Sequence, residues 1–159
     1  MEDLQRIGTG KRAGFAALAS ALALGALSGC GSEPSRSVPV ECKEAATAVE
    51  RALAAAPGDV RLGGVRLSDC FAVGSDSADG QSLGLTFLPV VERLAAQVRP
   101  RPGGRAALRL GFLMGAIRKG AAHGRVYAEL ERRIEGELSG VDTAAPAFRR
   151  GERAGRDHG

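Results

Sequence analysis

The segment that most restricts what this chain can become lies near its start. Lys11 and Arg12 precede an uninterrupted, weakly polar run from Ala13 to Gly29 (AGFAALASALALGALSG). A basic pair stays on the cytoplasmic side of a membrane while the apolar run behind it enters the translocon, so this order of residues is the layout of an export signal. The run is shorter than the roughly 20 residues a spanning helix needs and consists largely of alanine, which argues against a permanent span. Residues 1–29 are therefore read as a signal peptide. The domain has to be built from residues beyond Gly29, in a compartment outside the cytoplasm.

The run ends at Leu27-Ser28-Gly29-Cys30. An aliphatic residue, two small residues and a cysteine in that order resemble the lipobox of bacterial lipoproteins. The resemblance covers only the signal and implies that Cys30 becomes the first residue, diacylated on its thiol and acylated on its amine with palmitate-like chains. At about 0.8 kcal/mol per buried methylene, such chains anchor a protein without any helix in the bilayer. The expected location is the outer face of the cell membrane. Ala21-Leu22-Ala23 offers a small-x-small cleavage point as an alternative, and that too sends the chain outside.

With 159 residues, 44% of them apolar and 25% charged, the chain has room for one modest domain and does not have the composition of a wholly disordered or multi-span protein. The formal charge of +4 comes from 22 Lys and Arg against 18 Asp and Glu with no long run of one sign, so no nucleic-acid partner is indicated. The organisation read from composition shifts is a signal at 1–29, a polar, Pro-interrupted tether at 30–38, a helical domain at 39–138 and a disordered tail at 139–159. Arg149, Arg150, Arg153 and Arg156 in that tail could touch anionic lipid or polymer. Glu152 and Asp157 dilute them, which favours a solvated tail.

Within the domain the fold class is mainly α: four helices and a short β-hairpin at about 60–67. Cys42, Ala45, Ala46, Val49, Leu53 and Ala56 share one face of a first helix that Pro57-Gly58 ends. Val60-Arg61-Leu62 and Val65-Arg66-Leu67 flank Gly63-Gly64, a pair that tolerates positive φ and signals a tight hairpin. A second helix, capped by Asp76 or Ser77, carries Leu83, Phe87, Val90, Leu94 and Val98 and runs on, kinked, past Pro89. Pro100 to Gly104 breaks the chain. A third helix, Arg105 to Lys119, is apolar nearly all round, and its Gly111-x-x-x-Gly115 spacing admits close approach of another backbone. After a turn at Gly120 to Gly124, a fourth helix from Arg125 to Leu138 turns Val126 or Tyr127, Leu130, Ile134 and Leu138 inward and can pair Glu129 with Arg133.

Of three cysteines one is assigned to lipid. Cys42 and Cys70 then remain in a compartment where disulfides persist, and one bridge between them would stabilise a small domain by roughly 3 to 4 kcal/mol on the chain-entropy model. The alternative is two buried thiols. No Cys-x-x-Cys occurs and the only histidines are His123 and His158, so no metal site is expected, and no cofactor motif is present. Ser68, Ser75 and Ser77 lie in no Gly-x-Ser-x-Gly, and Asp76 to Gly80 does not reproduce a calcium loop. Gly115 to Gly120 lacks the lysine of a phosphate loop. With no Trp and one Tyr, sugar binding on stacked rings is disfavoured.

The block from Leu110 to Ala122, followed by Glu129-Leu-Glu-Arg-Arg-Ile-Glu135, resembles uncharacterised lipoproteins of the high-GC actinobacterial type, a likeness that implies no activity. Physically it is a buried helix, a basic cap and an amphipathic partner. Two functional readings are open. The first is a lipid-anchored binding or interaction module of the cell envelope, meeting another envelope protein or a small ligand, with no catalytic residue. The second is an extracytoplasmic hydrolase in which His123 works with an acid such as Asp69, Asp76 or Asp79. His123 sits between Ala122 and Gly124, amid Arg118, Lys119 and Arg125, with no carboxylate within four residues to orient it, which favours the first.

Overall fold

The structure, a computed structural model, describes residues 37–72, 77–122 and 128–159. Two long helices organise them. Helix α2 (Ser77–Val98) buries Leu83, Phe87, Val90, Val91, Leu94, Ala95 and Val98, the expected stripe with two neighbours, and it continues through Pro89 without interruption. Arg99 to Gly104 turn the chain, and the Ala107 N–H closes the first turn of the next helix on the Gly104 carbonyl at 3.1 Å. Helix α3 (Arg105–Ala121) is then covered on almost every side: Leu108, Leu110, Phe112, Leu113, Met114 and Ile117 are all buried. A helix apolar all round has to sit inside, and the other elements are arranged around this one.

The first helix is shorter than its periodicity suggests. Val40–Lys43 form a 3-10 turn, Ala46–Ala52 form α1, and Leu53–Ala55 close with another 3-10 turn. Between the first two pieces Glu44 (ψ 167°) and Ala45 (ψ 148°) are extended, so a single helix from Cys42 to Ala56 is not what forms. The cause is tertiary. The Glu44 carbonyl, which a continuous helix would use internally, accepts the Thr86 hydroxyl of α2 at 2.9 Å, and the bend lets Cys42 turn toward Cys70. The chain is already fixed before this point. Val38, read from sequence as the last tether residue, is buried and donates its backbone N–H to Asp79 at 3.1 Å.

Strands β1 (Arg61–Leu62) and β2 (Val65–Arg66) pair antiparallel, Arg61 opposite Arg66 and Leu62 opposite Val65. Gly63 and Gly64 connect them with φ of +53° and +94°, the two positive angles a type I′ turn requires. Two residues per strand cannot stand alone; Leu62 and the flanking Val60 and Leu67 are buried in the common core. Phe71, which follows a 3-10 turn at Leu67–Cys70, stacks tilted on Phe87 with centroids 4.8 Å apart and so joins this region to α2.

Helix α4 (Ala128–Glu137) buries Leu130 and Ile134 and forms the expected Glu129–Arg133 pair at 2.9 Å. Residues 125–127 of the fourth helix as read from sequence lie outside the described residues. Arg99 reaches the far end of α4 and donates to the carbonyls of Glu137 and Ser139, both at 3.1 Å, where helix carbonyls lack partners.

The C-terminal segment departs furthest from the sequence reading. Residues 139–159 are not a disordered tail: Pro146–His158 form a fifth helix, α5, which runs parallel to α3 and belongs to the same core through Ala145, Ala147 and Phe148. Its contact is made by glycine on both sides. A Cβ placed on Gly111 would lie 2.0 Å from the Phe148 oxygen, and one on Gly115 would lie 2.1 Å from the Glu152 oxygen. In return, Cβ atoms on Gly151 and Gly155 would each lie 2.0 Å from the oxygens of Leu108 and Phe112. Backbones pack this closely only where no side chain stands between them, and Cα–H groups then face carbonyl oxygens. The notch of Gly111 and Gly115 is evident in the sequence. Its occupant is not, because α5 offers glycine where periodicity looks for leucine.

Candidate functional site

Cys42 and Cys70 are joined, with sulfurs 2.03 Å apart and Cα atoms 5.5 Å apart across 28 residues of chain. The bridge closes a loop that contains α1 and the hairpin. Cys30 and His123 lie outside the described residues, as do Ser75, Asp76 and the side chain of Ser77.

Ser68 and Asp79, two of the other candidate groups, are occupied by structure. Ser68 is buried and donates its hydroxyl to the Gly159 carbonyl at 2.6 Å, locking the 3-10 turn to the end of α5. Lys119 Nζ donates to the same oxygen at 3.2 Å. Asp79, 7% exposed, receives Lys43 Nζ at 2.6 Å on Oδ1 and the Val38 N–H on Oδ2. Its pKa is held below the ordinary carboxylate value, first by the Lys43 hydrogen bond and then by that of Val38, which together outweigh burial. A carboxylate committed in this way anchors the chain entry and is poorly placed to orient a base. Asp69 is exposed on the surface. Neither Ser68 nor Asp79 is available as the hydrolase reading would need.

A shallow cleft of about 340 Å³ opens where three segments meet: Pro57 to Asp59, the outer face of the hairpin, and Asp157 and His158 at the end of α5. The register of the type I′ hairpin explains its charge. Arg61 and Arg66 are directly opposed and so point to the same side. Arg61 is neutralised by Asp59 at 2.7 Å and also donates to the Gly64 carbonyl at 2.9 Å. Arg66 is exposed and its guanidinium has no ion-pair or hydrogen-bond partner among the described residues. The cleft is lined by charged groups of both signs: the Arg66 guanidinium and the His158 imidazole can donate to a carboxylate or phosphate, and the Asp157 carboxylate can accept from a donor or pair with a cation. The alternation that carries Arg61 and Arg66 is visible in the sequence. The role of Asp157 and His158 is not, since composition reads their segment as a loose tail. Among the described residues no group of three or more His, Cys, Asp or Glu could hold a metal ion, and no helix is long and apolar enough to cross a membrane.

Compared with known proteins, the chain matches no family model, no curated protein and no solved structure.

Proposed function

We propose that the chain is a lipid-anchored extracytoplasmic domain, attached to the cell membrane through Cys30 and acting by binding an envelope protein or a small ligand without catalysing a reaction on it. The observation that carries this reading is the Cys42–Cys70 disulfide, because such bridges belong to oxidising compartments, where the signal ahead of Cys30 would deliver the chain. Two further features support it. Ser68 and Asp79 are spent on holding the fold, and the cleft at the hairpin gathers Arg66, His158 and Asp157, charged and polar groups suited to binding a polar ligand.

The anchor is tested by growing cells that make the protein with labelled palmitate. Label is expected in the wild-type protein and absent from Cys30→Ala. An unlabelled wild-type protein, or label that survives the substitution, would remove the anchor from the reading.

A further inference from the structure

Four arginines fall at positions 149, 150, 153 and 156 of α5. In a helix this spacing gathers side chains on one side, opposite Phe148, Gly151 and Gly155, which face α3. Arg149, Arg150 and Arg153 are exposed and their side chains have no ion-pair or hydrogen-bond partner among the described residues, while Arg156 is bonded to Glu152 at 2.5 Å. Of the acids nearby, Glu152 is shared between Arg118 and Arg156, Asp142 accepts the Ala144 N–H, and Asp157 stands one turn after Arg153 on the same face without forming an ion pair with it. Because α3 runs parallel to α5, Arg105 and Arg109 stand at the same end of the pair. They too lack partners among the described residues, and the Arg109 Nε is buried without a hydrogen bond.

From this arrangement we infer that the outer face of α5 is a docking surface for anionic lipid headgroups. It is a net basic helical face, with three arginines outside any ion pair against the one carboxylate of Asp157. The apolar residues of that helix are used against α3, and neither of the large hydrophobic residues exposed among the described residues, Val40 and Leu85, lies on it. It therefore adsorbs to a charged surface without inserting. The choice of a membrane over a soluble polyanion rests on the proposed anchor. Val38 is fixed to Asp79 only eight residues after Cys30, and eight extended residues span at most about 28 Å, so on the proposed anchor the folded unit stays beside the membrane to which Cys30 is attached.

The test uses residues 32–159, the compact unit that contains the entire core, so that binding by the face is measured without the lipid and failure of the face is separable from failure of the anchor. Partition is measured on vesicles of phosphatidylcholine and on vesicles in which about one third is phosphatidylglycerol. Three unpaired arginines at roughly 1 kcal/mol each predict an approximately hundredfold preference for the anionic vesicles, lost at about 1 M salt. Arg149→Gln/Arg150→Gln/Arg153→Gln is expected to remove the preference with helical content unchanged. If that variant fails to fold, the salt dependence of the wild-type unit decides. Equal partition on both vesicles, a preference insensitive to salt, a folded triple variant that keeps it, or binding to soluble polyphosphate with none to vesicles would each overturn the proposal.

Discussion

At Gly111 the Phe148 carbonyl occupies the space where any other residue would carry its Cβ, and the same is true at Gly115, Gly151 and Gly155 with their own partners. These positions can be separated from ordinary helix glycines by experiment. Gly111→Ala is expected to lower the melting temperature, at a cost of about 1 to 3 kcal/mol for forcing the helices apart. Gly136 in α4 has nothing within 4 Å of a Cβ and is the control: Gly136→Ala should stabilise by about 0.5 to 1 kcal/mol through reduced backbone freedom in the unfolded chain. Thermal melts of the two variants check both signs. A second residue-scale expectation concerns acid. The folded-state pKa of Asp79 is depressed, so its contribution to stability is complete above the unfolded value of about 4, falls as pH drops through the folded value, and is absent below it. Denaturant titrations should show Asp79→Asn less stable than wild type at neutral pH, with the gap closing as pH falls below about 4. A gap that does not change with pH would mean that Lys43 and Val38 do not hold the carboxylate in its charged form.

Among the elements, α3 and α2 are legible in the sequence because they bury large aliphatic side chains at helical spacing, and the hairpin is legible because Gly63-Gly64 has few other uses between two alternating segments. The first helix reads too long because periodicity in Cys42, Ala45, Ala46 and Val49 carries no information about Thr86, whose hydroxyl takes the Glu44 carbonyl out of any helix. Helix α5 escapes the sequence for a different reason. It is rich in arginine and its interface is backbone, so hydropathy sees a polar segment. The available signal is the four-residue spacing of Gly151, Gly155 and Gly159, matching that of Gly111 and Gly115. Phe148 is the one large apolar side chain α5 contributes to the core, at 1% exposure. Phe148→Ala should therefore cost about 3 to 5 kcal/mol and release α5 from protection against amide exchange. If α5 stays protected in that variant, the glycine contact alone suffices to hold it.

For the molecule as a whole, the disulfide, the buried entry at Val38 and the docking of α5 all draw the described chain into one core that includes its final residue, Gly159, through Ser68 and Lys119. The cleft is only half legible in the sequence, since Arg61 and Arg66 are neighbours in a hairpin that local patterning registers, whereas His158 reaches them through a helix that it does not. Among the described residues, Ser68 and Asp79 are committed to the protein's own structure, and Arg66, Arg149, Arg150 and Arg153 face outward. On the proposed reading, such a domain is held at a surface and binds there. Mass spectrometry of the N-terminal peptide, on protein extracted from its own membranes, is the sharpest check on such an anchored binder. The expected peptide begins at Cys30 and carries a diacylglyceryl group on its sulfur; a peptide that retains Met1, or one that begins after Ala23 with no lipid, would contradict it.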